Sequence, residues 1–372
     1  MRSSPAIAVS STRSLASVET IGAEAWIESL SPWPVDGFGL ERMWALLEAL
    51  GNPQRAYPAI HVVGTNGKST ATRTIEALLL ADGFRVGSTI SPHVSGWPER
   101  IRVDGREVDF GAAIGRVRAA AEQVRATQFE TLIVAALAEF AAAGVDVAVV
   151  EAGLGGRHDA TNVLRTKVVL LTNVSLDHTE VLGETVEEIA QEKLAVAHED
   201  SVVVLADTAF ERYIPGRRIV LGGAREAAEA FAGHAIAAEV EISLPGRLER
   251  RGNEIRDGAH NLEGVHWLVR QLAQGADYVV CASILRDKNA DAMLAALAAA
   301  GTRFVATQSS NARALPVGEL AELARPHFAH VEVVANPEAA VARAHELGEP
   351  VLVTGSLYLL SDLARHEREA GR

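Results

Sequence analysis

Residues 60–83, IHVVGTNGKSTATRTIEALLLADG, constrain this chain more than any other stretch. Ile60 to Val63 is an apolar run that reads as a buried strand. Gly64 and Gly67 then allow backbone angles that other residues resist. From Ser69 onward, Ile75, Leu78 and Leu79 fall at helical spacing until Asp82-Gly83 ends the run. Strand, glycine turn, lysine, hydroxyl residue and helix, in that order, aim backbone N–H groups and a helix N-terminus at an anion. The strict pattern G-x-x-x-x-G-K-[ST] fails at one place, because Val62 holds the slot of its first glycine. The bland alternative is an ordinary strand-to-helix turn with an exposed lysine. Phosphate binding is the stronger reading, for reasons that lie further along the chain.

From about residue 57 strand-like and helix-like segments alternate, which predicts an α/β fold with a mostly parallel sheet. Candidate strands are 60–63, 85–90, 145–150, 167–174 and 201–205. Between them, IRVDGREVDF alternates about Asp104-Gly105 and predicts a β-hairpin. The LPG at 244–246 marks a boundary, after which 278–283, 303–307, 331–334 and 350–354 read as strands of a smaller α/β domain. The expected division is a tail at 1–20 without fixed structure, one domain over 21–244 and a second over 245–372.

Charge and cysteine usage narrow the function. The formal net charge of −13 argues against a nucleic-acid partner, since duplex binding relies on Lys and Arg displacing counterions. An anionic substrate must therefore meet a local basic patch. The single cysteine, Cys281, excludes an internal disulfide, suits a reducing, cytoplasmic setting, and lies in the apolar run YVVCAS as a buried inert thiol. The most apolar region, 131–156, is interrupted by Glu139, Gly144 and Asp146 and reads as helix then strand, so no membrane span is expected.

In open parallel sheets ligands bind beyond the carboxyl ends of the strands. Four predicted strand ends carry polar clusters: the loop with Lys68; STISPH, with Ser91 and His93; VVEAGLGGRHDATN, with Glu151; and LLTNVSLDH, with Asp177 and His178. Lys68 supplies a point charge for β- and γ-phosphates, and a hydroxyl of Ser69 or Thr70 can reach a magnesium ion. Magnesium takes oxygen ligands and few protein contacts, which suits Glu151 and Ser91. A lone histidine such as His178 is more often a structural hydrogen-bonding group than a magnesium ligand.

Taken in series, GTNGKST, SPHVSGWPERIRVDG, QFETL, EAGLGGRHDATNV, NVSLDHTEVLGETVEEIAQEK, PGRLE, DGAHN, DKN, ARALP and VTGSLYL resemble the folylpolyglutamate synthase/dihydrofolate synthase family of the Mur ligase superfamily. The resemblance implies a P-loop-type ATPase domain followed by a Rossmann-like α/β domain, working as a monomer. It also implies an ATP-dependent amide ligase whose substrates are small molecules: a dihydropteroate or folate carboxylate, L-glutamate and ATP. ATP would bind through Gly64, Thr65, Asn66, Gly67, Lys68, Ser69 and Thr70, with Asn162, Arg247, Asp257 and His260 also on the nucleotide. Two Mg2+ ions would be held by Thr70, Ser91, Glu151, His178 and Lys193, the last matching a lysine that carries a carbamate in relatives. Lys68, His178, Lys193 and Arg247 would serve the chemistry. Read without the family, Lys193 is an ordinary solvated helix residue and Arg247 a surface partner of Glu249.

The chain departs from the family pattern at Ser69, where folate-type relatives usually have glycine, at Leu262, where proline is common, and in a shortened segment from about 205 to 244. There LGGAREAAEAFAG replaces a helix whose asparagine contacts adenine in relatives. Two alternatives follow: a Mur-type ligase for a different acid and amino acid, and a nucleotide-binding relative that has lost catalysis.

Overall fold

The structure is a computed structural model that describes residues 16–34, 37 and 39–370. Its first sheet contains β1 (Ala59–Val63), β2 (Val86–Thr89), β3 (Ile101–Val103), β4 (Arg106–Glu107), β5 (Val147–Glu151), β6 (Thr166–Leu171), β7 (Val202–Leu205) and β8 (Arg218–Leu221). The order across it is β4-β3-β2-β5-β1-β6-β7-β8. From β2 to β8 all neighbours are parallel, and β3–β4 is an antiparallel hairpin on one edge. The hairpin turns through Asp104 and Gly105, both at positive φ.

β1 and β5 are fully buried and, apart from His61 and the final Glu151, apolar, as strands covered on both faces tend to be. One face packs Ile60 and Val62 against Ile75, Leu78 and Leu79 of the helix Lys68–Ala81. The helices Phe110–Val124 and Gln128–Ala143 cover the other face with a core that includes Phe110, Leu132 and Phe140. β1 lies between β5 and β6, while the chain leaving it crosses to β2 on one side and later returns to β6 on the other. The carboxyl end of β1 is therefore the switch point of the sheet, where a ligand crevice opens.

The second sheet holds β9 (Glu249–Arg251), β10 (Glu254–Arg256), β11 (Val279–Ala282), β12 (Arg303–Ala306), β13 (His330–Val333) and β14 (Val351–Thr354) in the order β13-β12-β11-β14-β10-β9. Five strands are parallel and β9 is an antiparallel edge. Cys281 sits buried in β11. The two sheets meet where Val94 packs among Leu360 and Leu363 of the last helix and Ser361 Oγ donates to His93 O at 3.1 Å.

Three features differ from expectation. The strand expected over 167–174 stops at Leu171, because Thr172 and Asn173 turn their side chains onto the loop after β1. β8 is not among the expected strands: RIVL at Arg218–Leu221 is a run of only three apolar residues on a half-exposed edge, too short to stand out from a loop. The β9–β10 hairpin hides in ERRGNEIR, where five of eight residues are charged, and turns on Gly252 at φ 60°. Of the expected tail, 1–15 lies outside the described residues, whereas 16–20 are helical, part of Ala16–Ser29. Among the described residues no helix is long and apolar enough to cross a membrane.

Candidate active site

The loop after β1 is held from behind by the loop after β6. Thr65 N donates to Asn173 O at 3.0 Å, Asn66 N to Asn173 Oδ1 at 2.9 Å, and Thr172 Oγ1 to Asn66 O at 2.7 Å. Gly64 has φ 146°, and a Cβ there would overlap the Thr172 hydroxyl, so the close approach of the two loops requires glycine. Gly67, at φ 78°, starts the helix Lys68–Ala81, and no side chain caps it. Its first N–H groups remain available to an anion, with the positive end of the helix dipole behind them. Lys68 Nζ folds back to donate to Gly64 O and Thr65 O, at 3.1 Å each.

Glu151 ends β5 directly beside β1, paired in register with Val62. Its carboxylate is 2 % exposed and accepts from Ser69 Oγ at 3.1 Å and from Ser91 N at 3.0 Å. Burial raises its pKa, and Lys68, the Ser91 N–H, Arg247 and Ser69 oppose that shift. Arg247 reaches in from the second sheet's side, with Nη2 3.4 Å from Ser69 Oγ and Nη1 donating to Gly246 O at 3.2 Å. It forms no ion pair with Glu249, which is taken by Arg251 and by Gly246 N. Ser69, the hydroxyl directly after the lysine, is the one on Glu151; Thr70 is exposed on the cavity wall.

Lys193 is 4 % exposed despite its place in the charged helix Val186–Leu194, and its Nζ donates to Gly64 O at 3.0 Å. Burial, and then the neighbouring Lys68, bring its pKa down to about 7. His178 sits at φ 50° before the short helix Thr179–Leu182, with Nε2 3.9 Å from Asp177 Oδ1, and burial lowers its pKa.

Asp177 joins the two sides. It accepts from Lys288 Nζ at 2.6 Å and from Asn261 Nδ2 at 3.2 Å, both contributed by the second sheet's loops. Burial alone would raise its pKa, but Lys288 and the nearby His178 outweigh it and hold the carboxyl at about 2. Asn261 also exchanges amide hydrogen bonds with Asn66 and accepts from Gly264 N as the N-cap of the helix Leu262–Gln271. Asp257 accepts from Leu248 N at 2.7 Å and Ala259 N at 2.9 Å, which leaves lone pairs on both oxygens, and burial raises its pKa. His260 Nδ1 is bonded to Gly258 O at 2.8 Å.

Most of these groups border one cavity of about 1320 Å3 between the two sheets. Gly64, Thr65, Asn66, Gly67, Lys68, Ser69 and Thr70 line it, as do Ser91, Glu151, His178, Lys193, Arg247, Asp257 and His260. Asn162 does not: its amide donates to Arg157 O at 2.9 Å, which ties it to its own loop away from the cavity. Sequence reasoning did not single out Asn173, Asn261 or Lys288, although DGAHN and DKN contain the last two.

The donor set can be tested against magnesium. No group of three His, Cys, Asp or Glu that could hold a metal ion occurs among the described residues. What converges is one buried carboxylate, Glu151, with Ser69 Oγ and the Ser91 backbone beside it. An ion that keeps several waters and takes its remaining oxygens from phosphates fits such a set, whereas zinc, which wants a closed nitrogen or sulfur cage, does not.

The Mur ligase middle domain family matches residues 62–241. A dihydrofolate synthase/folylpolyglutamate synthase of Mycobacterium tuberculosis is 32 % identical over 85 % of this chain and 82 % of its own length. A folylpolyglutamate synthase of Lacticaseibacillus casei is 30 % identical over 86 % of this chain and 92 % of its own length. Among solved structures, Mycobacterium tuberculosis folylpolyglutamate synthase complexed with ADP and AMPPCP superposes with a TM-score of 0.84 at 28 % identity, over 94 % of this chain and 98 % of that one. The bifunctional Yersinia pestis enzyme with Mn, AMPPNP and L-glutamate bound gives 0.81 at 27 %, over 95 % and 99 %. An uncapped helix behind a glycine loop, a buried glutamate and lysine beside it, and an arginine brought from a second sheet thus occur in a chain that matches these enzymes over most of its length: it belongs to the folylpolyglutamate synthase/dihydrofolate synthase family of ATP-dependent Mur-type ligases.

Proposed function

We propose that this chain joins the amine of L-glutamate to the carboxylate of a pteroate-type acid at the expense of ATP, with magnesium as the divalent ion. The observation that carries the reading is the meeting of Lys68, Glu151, Lys193 and Arg247 around one cavity built from both sheets. A carboxylate oxygen of the acid attacks the γ-phosphorus and ADP leaves, giving an acyl phosphate. The glutamate amine then attacks the acyl carbon, phosphate departs with the C–O bond's electrons, and the nitrogen gives up a proton. Both steps concentrate negative charge, which fixed cations and N–H groups stabilise most when they need no rearrangement.

In this scheme the N–H groups of the first turn of Lys68–Ala81 and the Lys68 ammonium hold the β- and γ-phosphates. Arg247 closes on the transferred phosphoryl from the second sheet's side, its planar fork suited to two oxygens. Asp257 accepts from the ribose hydroxyls, and His260 lies against the nucleotide. Glu151, with Ser91 and a hydroxyl of Ser69 or Thr70, holds one magnesium ion; His178 and a carbamate on Lys193 hold a second. When bound there, the ions supply positive charge that offsets the charge developing on phosphate oxygens. The active species in this scheme is a monomer.

The test is phosphate release at steady state. It requires ATP, Mg2+, L-glutamate and a pteroate-type acid together, and dihydropteroate compared with tetrahydrofolate separates the two possible acceptors. Release without the pterin, or none with either, contradicts the proposal. A panel of other acids and amino acids in the same assay addresses a different Mur-type pairing.

A further inference from the structure

The cavity extends beyond the phosphate loop along the helix Leu262–Gln271. Asn261, the N-cap of that helix, touches Asn66 of the loop, so the helix starts at the phosphate site and runs away from it. Glu263, Trp267 and Arg270 line the cavity at spacings of four and three residues, which places them on one face of the helix. Trp267 is 46 % exposed. Among the described residues its ring meets no other aromatic ring or cation, and its Nε1 has no acceptor. An indole left open on a cavity wall with neither end satisfied lacks the packing that normally accounts for a tryptophan.

We infer that Trp267 is the platform on which the nucleobase of the bound triphosphate stacks; this rests on the phosphate site proposed above. At 1.5 Å of rise per residue, Trp267 stands roughly 9 Å along the helix from Asn261, a reach that matches the step from the phosphates of a nucleotide to its base. The loops after β7 and β8 contribute Ala206, Gly222 and Gly223 to the wall of the same cavity, small residues that leave room for a flat ring. His260 is already engaged at the phosphate end, its Nδ1 on Gly258 O and its Nε2 4.0 Å from Asp177. The base therefore lies between a π-face from one lobe and a wall of small residues from the other. The stack also helps to hold the lobes together when nucleotide is bound.

Calorimetry on the full chain with two probes, ATP and inorganic tripolyphosphate, tests this. Tripolyphosphate occupies the phosphate site and has no base. Trp267→Ala is expected to weaken ATP binding roughly tenfold to a hundredfold, as loss of a base–aromatic stack does, and to leave tripolyphosphate binding unchanged. Trp267→Phe is expected to keep most of the ATP affinity. Wild-type ATP affinity in Trp267→Ala overturns the inference, as does an equal loss for both probes, which would mark the ring as structural. A wild-type chain that binds neither probe overturns the phosphate site itself.

Discussion

Asn66 and Asn261, 195 positions apart in the chain, exchange two side-chain amide hydrogen bonds of 3.2 and 3.0 Å. One belongs to the loop after β1 and the other to the first turn of a helix in the second lobe, so the pair fastens the lobes at the phosphate site. Asn261→Ser tests this, because serine still caps the helix at Gly264 N but is too short to reach Asn66. We expect melting to change little while kcat/KM for ATP falls roughly tenfold, the equivalent of about 1.4 kcal/mol. Unaltered kinetics would show that the contact does not couple the lobes.

Lys68→Ala removes the only ammonium of the loop itself, and Glu151→Gln removes an anionic oxygen while keeping the shape of the side chain. Both variants are expected to fold and to lose turnover. Glu151→Gln is also expected to lose its response to Mg2+ titration, since an amide is a poor ligand for a hard cation. Circular dichroism verifies the fold and phosphate release the activity; substantial turnover in either variant contradicts the assignment.

The Lys288–Asp177 pair has a pH signature. Asp177 titrates at about 2 in the folded chain against 3.8 for a free aspartate. Its contribution is on the order of 2 kcal/mol, complete above the free value and lost as pH falls toward the folded one. Lys288→Met removes the partner, so the stability gap between wild type and variant is expected to be wide at neutral pH and to close below pH 3.8. Urea midpoints across that range measure it, and a gap that does not vary with pH rules the pair out as its source.

Lys193, held by burial near a pKa of about 7, is partly neutral at physiological pH and so able to attack carbon dioxide, forming an N–C bond and releasing a proton. Isotope-labelled bicarbonate is expected to produce a carbamate carbonyl signal in NMR spectra of the wild type that is missing from Lys193→Arg. Identical spectra from the two would remove the carbamate from the scheme.

Where the sequence was legible, burial was the reason. β1, β5 and β6 are mostly apolar because they lie in the covered centre of the sheet, and the polar residues at and just past their carboxyl ends face the crevice. Lys193 is the opposite case. The helix VEEIAQEKL looks solvated, and only tertiary packing takes the lysine to 4 % exposure. Arg247 reads locally as a partner for Glu249, yet Glu249 is satisfied by Arg251 and Gly246 N, which leaves the guanidinium for the cleft. Asn261 and Lys288 bear on the site only through contacts across the lobes, which no local pattern encodes. Asn162, placed on the nucleotide by its motif, instead spends its amide on Arg157 O.

The carbonyl oxygen of Gly64 accepts from Lys68 and Lys193 together, so two side chains that repel when both are charged share one weak dipole. An arriving polyanion favours the ammonium form of Lys193. In the unmodified chain, nucleotide binding near neutrality is therefore coupled to uptake of a fraction of a proton, and the heat released tracks the ionisation enthalpy of the buffer. Affinity for phosphate becomes a function of the acidity of the medium through an amine rather than an imidazole.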